Sequence, residues 1–487
     1  MKPRNLLFIM SDEHNRRVLG CHGHPMIRTP NLDRLAARGV RFTDAYCNSP
    51  ICVPSRASFA TGRWVHQVRF WDNAIPYDGS IPSWGHRLQQ AGHHATSIGK
   101  LHFRSADDRN GFDEEIMPLH VVDGVGDLLG LLRDDLPVRS AALKLAEEAG
   151  CGDSTYQGYD DRITEAAAGW LRRRAAAHEA SGGDKPWVLF VSLVCPHFPL
   201  IARPEWYNLY PEAEVPWPEQ YDPAARPDHP YIAAIRECMV YDKAFDPARV
   251  RRALAAYFGL VSFLDHNVGR ILAALEETGL FETTRVIYTS DHGDNLGARG
   301  LWGKSTMYED SAGVPLIMAG PEVPQGHVCH APVSLVDGFP TILHGVGAAP
   351  HPDDRDLPGH SLFDVMRGIA PARTVLSEYH AAGAAAGAFM IRRGAFKYVH
   401  YVGMPPQLFD LDADPLEARD LGQNPGYAGL VADCEAQLRR VVDPEAIDRL
   451  ARADQRARIA EYGGPEAIIA RGSFGYSPVP GTKPVYT

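Results

Sequence analysis

Long hydrophobic runs are missing from this chain. Nowhere does it approach the roughly eighteen uninterrupted apolar residues of a membrane span, which excludes a spanning helix. The run Leu6-Leu7-Phe8-Ile9-Met10 is too short for a signal-peptide core and has no small-residue cleavage site after it. A cytoplasmic protein without membrane contact is the expectation. An excess of basic residues is missing as well: 49 Lys and Arg stand against 60 Asp and Glu, for a formal net charge of −11. General nucleic-acid binding is thereby disfavoured, and any positive field is confined to a local pocket. The eight cysteines, Cys21, Cys47, Cys52, Cys151, Cys195, Cys238, Cys329 and Cys434, form no CxxC pair. That spacing fits a reduced compartment and predicts no structural disulfide. No internal repeat of fixed period is present.

What the chain does have is length and a regular alternation. Its 487 residues, 45% of them hydrophobic, can bury a large core, and short β-rich runs alternate with helical stretches. The expected fold is α/β: a large mixed, mostly parallel central sheet flanked by helices over residues 1–370, then a smaller C-terminal α+β domain over 371–471. Helices are predicted at Thr29–Arg38, Ser83–Ala91, Asp160–Ala177 and Ala248–Glu277, the last broken or bent near Asp265. Leu119–Glu148 reads as an inserted helical segment that covers the site or meets a partner. Thr374–Glu378, Phe389–Arg392 and Lys397–Tyr401 read as short strands. The tail, 472–487, is expected either to be disordered or to dock as an arm on another subunit.

Four β-runs end in reactive side chains. Asn5–Met10 leads into Ser11-Asp12-Glu13-His14, His94–Ile98 into Gly99-Lys100-Leu101-His102, Trp187–Val194 into Cys195-Pro196-His197, and Arg285–Ser290 into Asp291-His292-Gly293-Asp294. In open α/β sheets the ligand crevice lies beyond the carboxyl ends of the strands, so four strands would deliver these groups to one place. Asp12 and Asp291 offer hard oxygen ligands and His292 a nitrogen, which suggests a divalent cation. A zinc site at Cys21-His22-Gly23-His24 is rejected for want of a second ligand pair. Cys52-Val53-Pro54-Ser55-Arg56 sets a thiol at the start of a helix with an arginine one turn on. Free N–H groups there favour an anion, which the Arg56 fork could also grip.

Cys52 to Arg56, with Thr61-Gly62-Arg63 downstream, resembles the Cys-x-Pro-Ser-Arg signature of the sulfatases, in the alkaline phosphatase superfamily. The Asp-His-Gly-Asp motif at 291–294 resembles their second metal motif, and Trp71-Asp72-Asn73-Ala74 is similar to the choline-sulfatase branch. The resemblance implies that Cys52 is oxidised to formylglycine by a formylglycine-generating enzyme and hydrated to a diol. One hydroxyl then attacks sulfur and the other expels sulfate. It implies Asp12, Glu13, Asp291, His292 and modified Cys52 as metal ligands, with Ca2+ expected first and Mn2+ or Mg2+ as alternatives. His102 would deprotonate the diol or drive its collapse. His197 and Lys304 would protonate or stabilise the leaving oxygen, Lys100 and Arg56 would hold anionic oxygens, and Asn73 would donate to the substrate.

The expected function is hydrolysis of a small anionic sulfate monoester. The alternative is a phosphonate monoester or phosphodiester hydrolase using the same groups. A phosphatase with a Ser or Thr nucleophile is disfavoured by the cysteine, and a silent binding protein by the completeness of the site. A homodimer or homotetramer is expected.

Overall fold

Strand β1 (Asn5–Asp12) is buried on both faces, as a central parallel strand must be. The computed structural model that shows this describes residues 2–181 and 185–486; Met1, residues 182–184 and Thr487 lie outside the described residues. Seven further strands join β1: β2 (Gly39–Phe42), β3 (Ala95–Lys100), β4 (Glu114–Leu119), β5 (Val188–Pro196), β6 (Thr284–Ser290), β7 (Leu316–Ala319) and β8 (His327–Cys329). The sheet runs in the order β8-β2-β7-β6-β1-β5-β3-β4. Only β7 is antiparallel to its neighbours. The four strands with reactive ends, β6, β1, β5 and β3, are therefore contiguous, and their carboxyl ends open on one crevice.

Helices cover both faces of this sheet. The main ones, in chain order, are α1 (Pro30–Ala37), α2 (Cys52–Thr61), α3 (Trp84–Gln90), α4 (Ala141–Glu148), α5 (Thr155–Ser181), α6 (Pro247–Glu277) and α7 (Gly338–Val346); α8 (Ala428–Arg439) and α9 (Pro444–Glu461) follow in the C-terminal part of the chain. The period-2 alternation of β1 divides the core. Leu7 and Ile9 pack with Ile163 of α5 and Val261 and Leu264 of α6. Leu6, Phe8 and Met10 pack with Phe59 of α2, Trp84 of α3 and Phe339 of α7. No helix among the described residues is long and apolar enough to cross a membrane.

A second sheet, antiparallel throughout, holds β9 (Val375–Tyr379), β10 (Ala388–Arg393), β11 (Phe396–Tyr401) and β12 (Met404–Asp410) in that order. Its outer face is closed by Cys434 and Leu438 of α8 against Leu376, Phe389 and Leu408. The unpredicted β12 carries Pro405 and Pro406, which an edge strand tolerates and a central one does not.

Three expectations are corrected. Helix α6 is not interrupted at Asp265: the carboxylate, 1% exposed, accepts from the N–H groups of Asn31 and Leu32 at 3.2 and 2.8 Å and so caps α1 from outside. Residues 119–148 are not one helical segment: two short 3-10 turns, Val122–Gly124 and Leu128–Leu131, precede α4, the one α-helix there, and Gly124 and Gly126 take the left-handed conformation. Gly126 has φ 78°, and a Cβ there would meet the Asn73 carbonyl at 2.0 Å, so glycine is what lets this segment close on the Asn73 loop. The first part of the tail is ordered against its own chain, with Ser473, Phe474, Ser477 and Val479 buried, whereas Val485 and Tyr486 near its end are exposed.

Candidate active site

Helix α2 enters the crevice with its first residue. All ten of its residues are buried, Cys52 at 1% exposure, and its far end is closed by Gly62 in the left-handed conformation. Asn73 Oδ1 accepts the free N–H of Val53 at 3.1 Å, and Ser55 Oγ donates to the Asp291 carbonyl at 2.6 Å, which ties α2 to the end of β6. Cys52 Sγ thereby sits 3.3 Å from His292 Nε2, 3.6 Å from Asp12 Oδ1, 3.1 Å from Lys304 Nζ and 4.0 Å from Lys100 Nζ.

One ligand atom each from Asp12, Cys52, Asp291 and His292 lies within 4.8 Å of the others, as do atoms of Asp12, Glu13 and His197. His292 Nδ1 pairs with the Gly293 carbonyl at 3.0 Å; as donor there it leaves the Nε2 lone pair facing the cluster. Glu13 Oε1 is buried with no hydrogen-bond partner. Three carboxylates, one of them with an orphaned oxygen, and a lone-pair nitrogen fit a hard divalent cation. The neighbouring cations keep one of these carboxylates ionised. Burial pushes the Asp12 carboxyl up, but Lys100, His197, Arg56 and Lys304 outweigh it and hold the group well below the usual range. Burial dominates at Glu13 and raises its carboxyl.

Arg56 does not face the cavity. Its Nε donates to Asp291 Oδ2 at 2.7 Å, Nη1 to the Lys100 carbonyl and Ser192 Oγ at 2.9 Å, and Nη2 to Asp12 Oδ2 at 3.2 Å. Four of its five N–H donors are used on protein in this way, and they hold the two aspartates in place. Lys100 forms an ion pair with Asp12.

Lys304 Nζ links the nucleophile position to the leaving-group side. Besides Cys52 it reaches His197 Nε2 at 3.0 Å and Glu13 Oε2 at 3.3 Å. His197 Nδ1 pairs with the Phe198 carbonyl at 2.6 Å, which turns Nε2 inward. His102 also lines the cavity, with Nε2 at 3.0 Å from Ser477 Oγ. Burial, ahead of the neighbouring cations, lowers the pKa of both imidazoles well below the ordinary value.

Cys52, His102, His197 and Lys304 line a cavity of about 170 Å³ together with Asn73, Tyr156, Phe198, Phe245, Trp302 and Tyr476. The other predicted site residues, Asp12, Glu13, Lys100, Asp291, His292 and Arg56, gather around Cys52 and Asp12 without lining that cavity. Sequence reasoning missed Tyr156 and the tail residues Tyr476 and Ser477. Tyr156 sits in an ordinary amphipathic stretch, and the tail has no periodicity to assign it a place.

The family model described as Sulfatase matches residues 4–348, and that described as N-sulphoglucosamine sulphohydrolase, C-terminal, matches residues 297–443. The choline-sulfatase of Rhizobium meliloti (strain 1021) is 34% identical over 471 residues, covering 95% of this chain and 91% of that protein. Arylsulfatase K of Danio rerio is 29% identical over 488 residues, covering 94% and 87%. Among solved structures, the phosphonate monoester hydrolase of Agrobacterium radiobacter superposes with a TM-score of 0.69 at 22% identity, covering 93% of this chain and 96% of that one. A protein solved with its substrate D-glucosamine-2-N,6-O-disulfate gives 0.69 at 24%, covering 91% and 99%. At these identities the structures speak for the fold alone.

Proposed function

This chain belongs to the sulfatase family, and from that premise we propose that it hydrolyses sulfate monoesters to an alcohol and inorganic sulfate through a nucleophile made from Cys52 by oxidation to formylglycine. The observation that carries the reading is the convergence on Cys52 Sγ of His292, Asp12 and Lys304 within 3.6 Å. A buried thiol with no chemical task does not gather such a set.

Asp12, Glu13, Asp291, His292 and modified Cys52 would hold the cation, Ca2+ first and Mn2+ or Mg2+ otherwise. Bound there, it would offset charge on the sulfuryl oxygens and lower the pKa of the attacking hydroxyl. The protein groups do the rest. Lys100 and Lys304 hold anionic oxygens, and Arg56 keeps Asp12 and Asp291 in place. The Lys304–His197 pair would deliver a proton to the departing oxygen, the Lys304 ammonium being the group that carries it and donates to His197 Nε2, and His102 takes one from the hydroxyl that expels sulfate.

The cavity suits a compact alcohol. Aromatic walls are a favourable lining for a quaternary ammonium group, and with a choline-sulfatase among the relatives, choline sulfate is the first ester to test. The eight free cysteines support a reducing, cytoplasmic setting, and a homodimer or homotetramer is the proposed assembly.

The deciding experiment is the mass of the tryptic peptide containing Cys52, from protein made with and without a formylglycine-generating enzyme. Hydrolysis of sulfate, phosphonate and phosphodiester derivatives of one alcohol follows. We expect the formylglycine mass and the highest kcat/KM on the sulfate ester. A panel led by the phosphonate monoester would move the assignment to that chemistry, and an unmodified thiol without hydrolysis would overturn it.

A further inference from the structure

Residues 472–486 form a strap of which Phe474 to Ser477 line the cavity, anchored by the burial of Phe474 and Val479. Ser477 is gripped on two sides. Its carbonyl accepts the Tyr156 hydroxyl at 2.6 Å, and its Oγ lies 3.0 Å from His102 Nε2. Tyr156 in turn packs edge-on to Tyr476 at 5.2 Å and to His197 at 5.9 Å between ring centroids. The strap is thus fixed beside both histidines that line the cavity. His102 is itself held by its backbone, with φ 56° and its N–H on the Leu119 carbonyl at 2.8 Å. Its Nδ1 is buried and has no hydrogen-bond partner.

A neutral imidazole carries one N–H and one lone pair, and it can take up a proton only through the lone pair. Nε2 is committed to Ser477, so Nδ1 is the nitrogen left for a reacting group. A serine hydroxyl can donate or accept, and which it does fixes the tautomer. We infer that Ser477 is a positioning residue for His102: its Oγ accepts the Nε2–H, which leaves the Nδ1 lone pair free to receive the proton of the reacting hydroxyl. This rests on the reading of His102 as the base. It makes the strap part of the catalytic apparatus, acting through His102 without touching the sulfuryl group.

Two measurements test it. In protein labelled with 15N-histidine, with the His102 signals identified by their loss in His102→Gln, the native chain should show Nε2 protonated and Nδ1 bare. Ser477→Ala should show a mixture of tautomers. In kinetics, Ser477→Ala should lower kcat about tenfold, the loss of one hydrogen bond near 1.4 kcal/mol, with KM almost unchanged. Ser477→Thr, which keeps the hydroxyl, should recover most of it. A native His102 protonated on Nδ1 would overturn the inference. So would a Ser477→Ala enzyme with native kcat, or equal losses in the Ala and Thr variants expressed mainly in KM. Should the converted enzyme hydrolyse no sulfate ester, the functional reading falls, and the spectrum still decides the tautomer.

Discussion

Lys304 shows how much a single side chain's meaning depends on its company. In the sequence it is one of eight lysines, and only the resemblance marks it. In the fold it is buried between Cys52, Glu13 and His197; desolvation works against its charge, but the thiol and the nearby carboxylates outweigh it and raise the pKa. With that cation 3.0 Å from His197 Nε2, proton delivery to the departing oxygen belongs to the pair. His197→Ala should therefore cost about 10²–10⁴-fold in kcat on esters of basic alcohols and much less on esters of acidic phenols. A leaving-group series with equal losses would remove His197 from the acid role. Cys52→Ala should abolish hydrolysis while leaving the melting temperature within a few degrees of the native value. Native turnover in that variant would disprove the nucleophile. Arg56 marks the limit of residue-level reading: its place in the motif is plain, but only the fold shows that four of its five N–H donors go to Asp12, Asp291, Lys100 and Ser192.

Among the elements, the strand ends are the most legible part of the chain, because an apolar run of strand length that stops at a charged cluster marks where a buried strand meets a polar crevice. Residues 119–148 are the least legible: Leu-rich composition suggests a helix, and Gly126 acts through a close approach to Asn73 that no local pattern reveals. Asp265 misleads for a related reason. An acid inside an apolar helix looks like a break, whereas here it caps another helix 233 residues away in sequence. Asp265→Ala should leave the N–H groups of Asn31 and Leu32 without a partner and cost about 1–3 kcal/mol in urea unfolding, with kcat/KM unchanged. Asp265→Asn, which keeps an accepting oxygen, should lose less. Equal stability of the Ala variant would show that Thr29 or water caps α1 instead.

At the scale of the molecule, the second sheet is bolted to the catalytic sheet through buried charge. Lys397 of β11 donates to the Met307 carbonyl at 2.7 Å and to Glu309 at 3.0 Å, and pairs with Glu417. Glu309 also pairs with Arg16. Because Met307 and Glu309 follow Lys304 closely, this junction steadies the segment that carries Lys304. Lys397→Met should cost about 3–5 kcal/mol by stranding the two glutamates, and it should lower kcat as well. Unchanged kcat at lowered stability would confine the junction to folding. A second tie joins His66 to Glu378 of β9 at 2.8 Å. Burial works against both charges, but each outweighs it for the other: the Glu378 carboxyl falls to about 2, and the His66 imidazole rises above its ordinary 6.5. The carboxylate's contribution is complete above its unfolded value of 4.5 and fades as pH falls toward 2, while the imidazolium's is complete below 6.5 and fades as pH rises through its raised value. The tie is therefore strongest between about pH 5 and 6. Melting temperature should decline above that window in the native protein and decline less in His66→Gln; parallel curves would show that this pair does not set the slope.

The burial of Cys52 and the strap that lines its cavity also impose an order in time. In the finished fold the Cys52 side chain is 1% exposed, beyond the reach of another enzyme's active site. The proposed oxidation must then happen while the segment is still unfolded. The strap is made several hundred residues later, and at ~5–20 residues per second the ribosome leaves an interval on the order of tens of seconds. A host whose modifying enzyme is scarce should accumulate protein that is folded, closed and permanently inert. Slowing translation should raise the converted fraction where adding enzyme to the purified chain does not.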